Sequence, residues 1–144
     1  MAGFHVAPAL ERLRFLEGDW EMELSQAAFL PEGERVHGTA AFEFLDDGRL
    51  LALRQGDAAT WIIGGDDASA LFTVLYSDGR GVSRVYAMTL ESETWKIWRD
   101  ADEFSQRFEA VVSPGLDLIS GHWERRHSGE DWEHDFAVTY RRLG

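Results

Sequence analysis

Gly18-Asp19-Trp20-Glu21-Met22-Glu23-Leu24-Ser25-Gln26 decides the reading of this chain. From Trp20 every second residue is apolar, the period of a strand with one face buried and the other in water. Just upstream, Pro8 to Leu16 reads as a short helix. Pro8 suits a first helical turn, Leu10, Leu13 and Phe15-Leu16 form an apolar stripe, and Gly18 ends it. At the other end, Phe136-Ala137-Val138-Thr139-Tyr140-Arg141-Arg142 is a second alternating strand that closes on two arginines.

Between these ends nearly every segment has period two. Ten strands are expected, over 19–26, 34–45, 49–54, 59–64, 70–76, 82–90, 94–99, 104–112, 116–126 and 131–142. Gly/Asp clusters punctuate them, among them Asp46-Asp47-Gly48, Gly56-Asp57, Ser77-Asp78-Gly79 and Ser113-Pro114-Gly115. Short, evenly spaced strands with such turns predict an all-β sandwich or barrel. Hairpin follows hairpin with no long return connection, which favours a single up-and-down antiparallel barrel that has no free edges. Eight strands already leave room for one small ligand, so ten should enclose a cavity. No repeat or linker breaks the chain, and one domain over 1–144 is expected.

Parity sets the faces. Val82, Arg84, Tyr86, Met88 and Leu90 share one face, as do Phe72, Val74 and Tyr76 on the preceding strand. Pairing Tyr76 with Val82 puts both sets inside. In the last hairpin, pairing Trp123 with His134 places Ile119, Gly121 and Trp123 on the face of His134, Phe136, Val138 and Tyr140. His122 then stands opposite Asp135 outside. A one-residue slip would turn an apolar set to water.

Composition excludes several functions. The net charge of −12 argues against nucleic acid and against anionic membrane surfaces. The chain has no cysteine, hence no disulfide and no thiolate metal site. The first residues show no basic segment followed by an apolar run, and no apolar run is long enough to span a bilayer, so a soluble cytoplasmic protein is expected. Six Trp, nine Phe and three Tyr point to an aromatic interior.

Chemistry is sparser. His5, His37, His122, His127 and His134 show no compact ligand spacing, and no metal site or cofactor is expected. There is no Gly-x-Ser-x-Gly elbow, and Asp46-Asp47 and Asp66-Asp67 lack calcium-loop spacing. Arg84 is the exception: a cation in an apolar row, which is costly unless an inward carboxylate or a ligand pairs with it. Glu43 and Asp135 are the carboxylates that a bent strand would turn inward.

Gly18-x-Trp20 and the late Arg141-Arg142 resemble the calycins: lipocalins, fatty-acid-binding proteins and their relatives. That resemblance implies a lipocalin-like barrel with Trp20 at its closed end and Arg141 or Arg142 across the ring, a contact worth about 0.5–2 kcal/mol. From Leu13 to Leu143 the chain looks like lipocalin-like domain-of-unknown-function proteins. The matching residues are Phe44-Leu45-Asp46-Asp47-Gly48, Asp78-x-x-Gly81-Val82-x-Arg84-Val85-Tyr86, Arg107-Phe108, Trp123-Glu124 and Trp132-Glu133-x-Asp135-Phe136. Nitrobindins, distant relatives, hold haem through an inward histidine; aligned on the Val138-to-Arg142 ending, that position is Asp135, so haem is disfavoured. Fatty-acid-binding proteins hold a carboxylate with an Arg-x-Tyr pair, and Arg84-Val85-Tyr86 is similar in chemistry though not in strand position.

The expected function is binding of a small apolar or amphipathic molecule, with an acidic end, by Arg84, Tyr86, His134 and Tyr140 among Trp123 and Phe136. The alternative is a small enzyme in the same cavity with His134 as general acid/base. An interaction module, a homodimer through outward-facing Trp61 and Trp98, is a third.

Overall fold

The computed structural model describes residues 6–144; His5 lies outside them. It is an all-β fold led by a 3₁₀ helix, Pro8–Leu16. The tighter helix follows from the sequence: Leu10, Leu13 and Leu16 recur every third residue, which is the 3₁₀ period, and all three are buried. Ten strands follow: β1 Gly18–Ser25, β2 Arg35–Leu45, β3 Leu50–Gln55, β4 Ala59–Gly65, β5 Phe72–Asp78, β6 Ser83–Glu91, β7 Thr94–Arg99, β8 Phe104–Val112, β9 Leu118–His127 and β10 Glu133–Arg142. Each pairs antiparallel with its neighbours in sequence, and β1 pairs with β10 to close the barrel. No helix among the described residues is long and apolar enough to cross a membrane.

The two ends differ. The helix covers one of them: Ala7 N–H donates to Gly48 O at 2.9 Å, and Ala9 sits under Gly65 so closely that a Cβ there would lie 2.6 Å from the Ala9 Cβ. Trp20 is fully buried at this end and donates its indole N–H to Leu16 O at 2.8 Å. Arg142 lies over the Trp20 ring at 4.3 Å and donates to Phe15 O, Glu17 O and Leu116 O. Arg141 is exposed, so of the two arginines Arg142 makes the closure. Gly18, at φ +126, lets the chain turn beneath that guanidinium; a Cβ would stand 3.3 Å from Arg142 Nη1. At the other end the turns 56–58, 79–82, 100–103 and 128–132 and the longer 26–34 connection ring an open mouth.

The β5–β6 pairing keeps the expected faces but slips by two residues. Tyr76 faces Arg84, and Ser77 faces Ser83. Asp78 organises the turn: its carboxylate accepts from the Arg80 backbone N–H at 2.9 Å and from the Arg80 guanidinium at 2.6 Å, and Gly81 turns at φ +79. A slip of two preserves parity, so Val74, Tyr86 and Met88 stay inside.

The last hairpin departs further. Trp123 faces Phe136, not His134, because a bulge between His134 and Phe136 adds one residue to β10. Below the bulge Phe136, Val138 and Tyr140 keep the inward face. Above it parity reverses, and His134 pairs with Glu124.

Candidate functional site

The open half of the barrel holds a cavity of about 300 Å³. Its wall is aromatic. Trp61 packs against Tyr76, Tyr86 and Trp123 with ring centroids 4.7, 5.3 and 6.0 Å away, and Phe136 lies 6.4 Å from Trp123. Strand alternation puts these rings inside: each shares a parity with the buried aliphatics of its own strand, as Trp61 does with Ile63 and Tyr86 with Met88. Below them the barrel is filled. The space left among Leu53, Ile63, Met88, Trp95, Ile97 and Phe108 amounts to only about 10 Å³.

Three polar groups interrupt this wall. At the floor, Trp61 Nε1–H donates to Gln55 Oε1 at 2.8 Å, and Gln55 Nε2 donates to the Tyr140 hydroxyl at 2.9 Å. Burial pushes the Tyr140 phenol up to about 12, so it stays protonated. Near the mouth, Tyr86 donates to Gln106 Oε1, which also accepts from Arg84 Nη1 at 3.4 Å. Burial raises the Tyr86 phenol as well, with Arg84 pulling it down less strongly. Beside these, Tyr76 donates to Asp78 Oδ2 at 2.7 Å, while Arg80 holds the same carboxylate. Hydrogen bonds from Arg80 and Tyr76 hold the Asp78 carboxyl well below the usual range; burial, then Asp78, lift Tyr76 to about 12.

The two arginines at the mouth are therefore unlike. Arg80 is neutralised by Asp78. Arg84 lies 5.2 Å from the Phe104 ring centroid, and among the described residues no carboxylate oxygen comes within 4.0 Å of its guanidinium. Neither expected internal carboxylate reaches it. Glu43 is exposed on the outer face, and Asp135, at the bulge, pairs weakly with Arg125 at 3.5 Å.

Of the residues singled out in the sequence, Arg84, Tyr86, Tyr140, Phe136 and Trp123 all line this cavity. His134 does not. Its ring is exposed outside, where Nε2 lies 2.8 Å from Gln26 O and ties the 26–34 connection to β10. The bulge is the cause, since it turns the side chain away from the face that the alternation of 134, 136, 138 and 140 predicts. Trp61 corrects in the opposite sense: expected outside, it is buried inside, while Trp98 stays half-buried on the outer face. Gln55 and Gln106 were overlooked, although a signal existed. Gln55 continues the row Leu51, Leu53, and Gln106 stands between Phe104 and Phe108 on one parity. No histidine lines the cavity, and no cluster of three or more His, Cys, Asp or Glu suited to a metal occurs among the described residues.

These features define a closed ten-stranded antiparallel β-barrel with an aromatic cavity open at one end. A similar fold is found in the crystal structure of Rv2717c from M. tuberculosis, with a TM-score of 0.68 over 97% of this chain and 100% of that one. At 12% sequence identity the likeness concerns the fold alone. No family model and no curated protein matches the sequence.

Proposed function

We propose that this chain is a calycin-like, lipocalin-type binding barrel that holds a small amphipathic acid in its cavity and catalyses no reaction. The observation that carries this reading is Arg84. A guanidinium partly withdrawn from water is costly to leave unpaired. Here its neighbours are a neutral amide and a ring face, with no carboxylate at contact distance. An acidic ligand group supplies the missing charge, and the aromatic wall takes its apolar body, the usual division of labour in a ligand site. With the chain at −12 overall, this cation marks where an anion is accepted. The same reading has the protein act on a small molecule in the cytoplasm, apart from nucleic acid and membranes. Catalysis with His134 as general acid/base loses its support, because that ring stands outside the cavity.

The test compares a carboxylic acid with its methyl ester, read by quenching of Trp61 and Trp123 fluorescence. Wild type should prefer the acid, and Arg84→Met should weaken the acid by about 10- to 100-fold while sparing the ester, since a hydrogen bond to a charged group is worth about 1.5–3 kcal/mol. Equal affinity of wild type for acid and ester overturns the reading.

A further inference from the structure

The hydrogen bonds at the cavity floor run in one direction. An indole N–H can only donate, so Gln55 must turn its oxygen to Trp61 and its NH₂ to Tyr140. The Tyr140 oxygen is thereby an acceptor, and its own hydrogen is left over: among the described residues nothing accepts it. Tyr140 is 4% exposed, and burial keeps the phenol protonated. A second donor lies in the same place. Trp95 Nε1 is the one buried side-chain polar atom without a partner among the described residues, and Trp95 and Tyr140 both line the small space beneath the floor. Buried polar groups are almost always satisfied, and two surplus donors on residues that line one space call for an acceptor. That space, about 10 Å³, suits a single oxygen atom or one water.

We infer that the ligand carries, at the end opposite its acidic group, a neutral hydrogen-bond acceptor, a ketone-type carbonyl oxygen, that takes the Tyr140 hydroxyl hydrogen at the cavity floor. This rests on the reading of the cavity as an acid-binding site and fixes the ligand's direction: acid toward Arg84 at the mouth, carbonyl down. The mouth repeats the logic. Gln106 points its oxygen at Arg84 and Tyr86, and among the described residues nothing accepts from its NH₂. A ligand with acceptors at both ends and a flat apolar middle matches the three features together.

The probes are 4-acetylcinnamate and 4-ethylcinnamate, which lacks the carbonyl oxygen, with their methyl esters, titrated into wild type, Tyr140→Phe and Arg84→Met. Wild type should bind the acetyl acid about three- to tenfold more tightly than the ethyl acid, as one neutral hydrogen bond predicts. Tyr140→Phe should abolish that preference and keep the preference for acid over ester; Arg84→Met should do the reverse. The bound ketone stretch should fall in wild type and return toward its free value in Tyr140→Phe. Equal affinity of wild type for acetyl and ethyl acids, with acid still preferred over ester, overturns the carbonyl inference alone and leaves a trapped water as the partner of Tyr140. Loss of the acid-over-ester preference in wild type overturns the acid reading, whatever the acetyl group does.

Discussion

Among the arginines that lie near aromatic rings, Arg142 and Arg84 have unlike surroundings. Arg142, at the closed end, covers Trp20 at 4.3 Å and gives its hydrogens to three backbone carbonyls. Arg84, in the open half, lies 5.2 Å from Phe104 and finds a single neutral acceptor at 3.4 Å. At the closed end the chain itself supplies three acceptors for Arg142, so the group holds first strand, last strand and helix together. In the open half the chain leaves the donors of Arg84 half-used, and the proposed acidic ligand would complete them. The same contrast holds for the space around them, packed below and about 300 Å³ above. Binding groups are commonly kept at some expense of stability.

The comparison breaks if substitutions in the two halves cost alike. Trp20→Ala should have the largest effect, a loss of about 3–5 kcal/mol read from the urea midpoint, as for other fully buried aromatic residues. Gly121→Ala should come next. A Cβ at this inward position on β9 would stand 2.5 Å from the Ala110 Cβ and 2.6 Å from Glu109 O, too close for backbone to yield. Overpacking of that kind costs about 1–3 kcal/mol.

Asp135→Asn should act less, and with a pH signature. Burial raises the Asp135 carboxyl above its ordinary value, more than Arg125 lowers it. A raised folded-state value means that the protonated form favours the fold, and that its contribution is lost as pH rises through the carboxylate range. The asparagine should therefore be slightly more stable than wild type at neutral pH, and the gap in Tm should close as the solution is acidified below about pH 4. A gap that widens on acidification contradicts this. Smallest of all, Arg84→Met should leave stability within about 0.5 kcal/mol or raise it, because a part-buried charge without a carboxylate is replaced by an apolar chain of similar reach. A loss comparable to that of Trp20→Ala would make Arg84 a structural group like Arg142.

The local alternation of this chain determined a great deal by itself. It marked ten strands and their order, and the inward rows through Arg84 and Tyr86 and through Trp123 and Tyr140. These properties depend on neighbours two residues apart, and a register slip of two, as at Tyr76 and Arg84, leaves them intact. Only the tertiary structure decided the rest. The bulge at Asp135 inserts one residue, which no period-two pattern announces, and so His134 faces out to hold Gln26. Trp61 has apolar Ile62 and Ile63 on opposite faces of its strand, so parity alone left its side open. The pairing of Gln55 with Tyr140, 85 residues apart, and of Gln106 with Tyr86 depends on how the strands tilt as the sheet closes. That tilt is a property of the whole ring, and it is what sets the donors around one cavity.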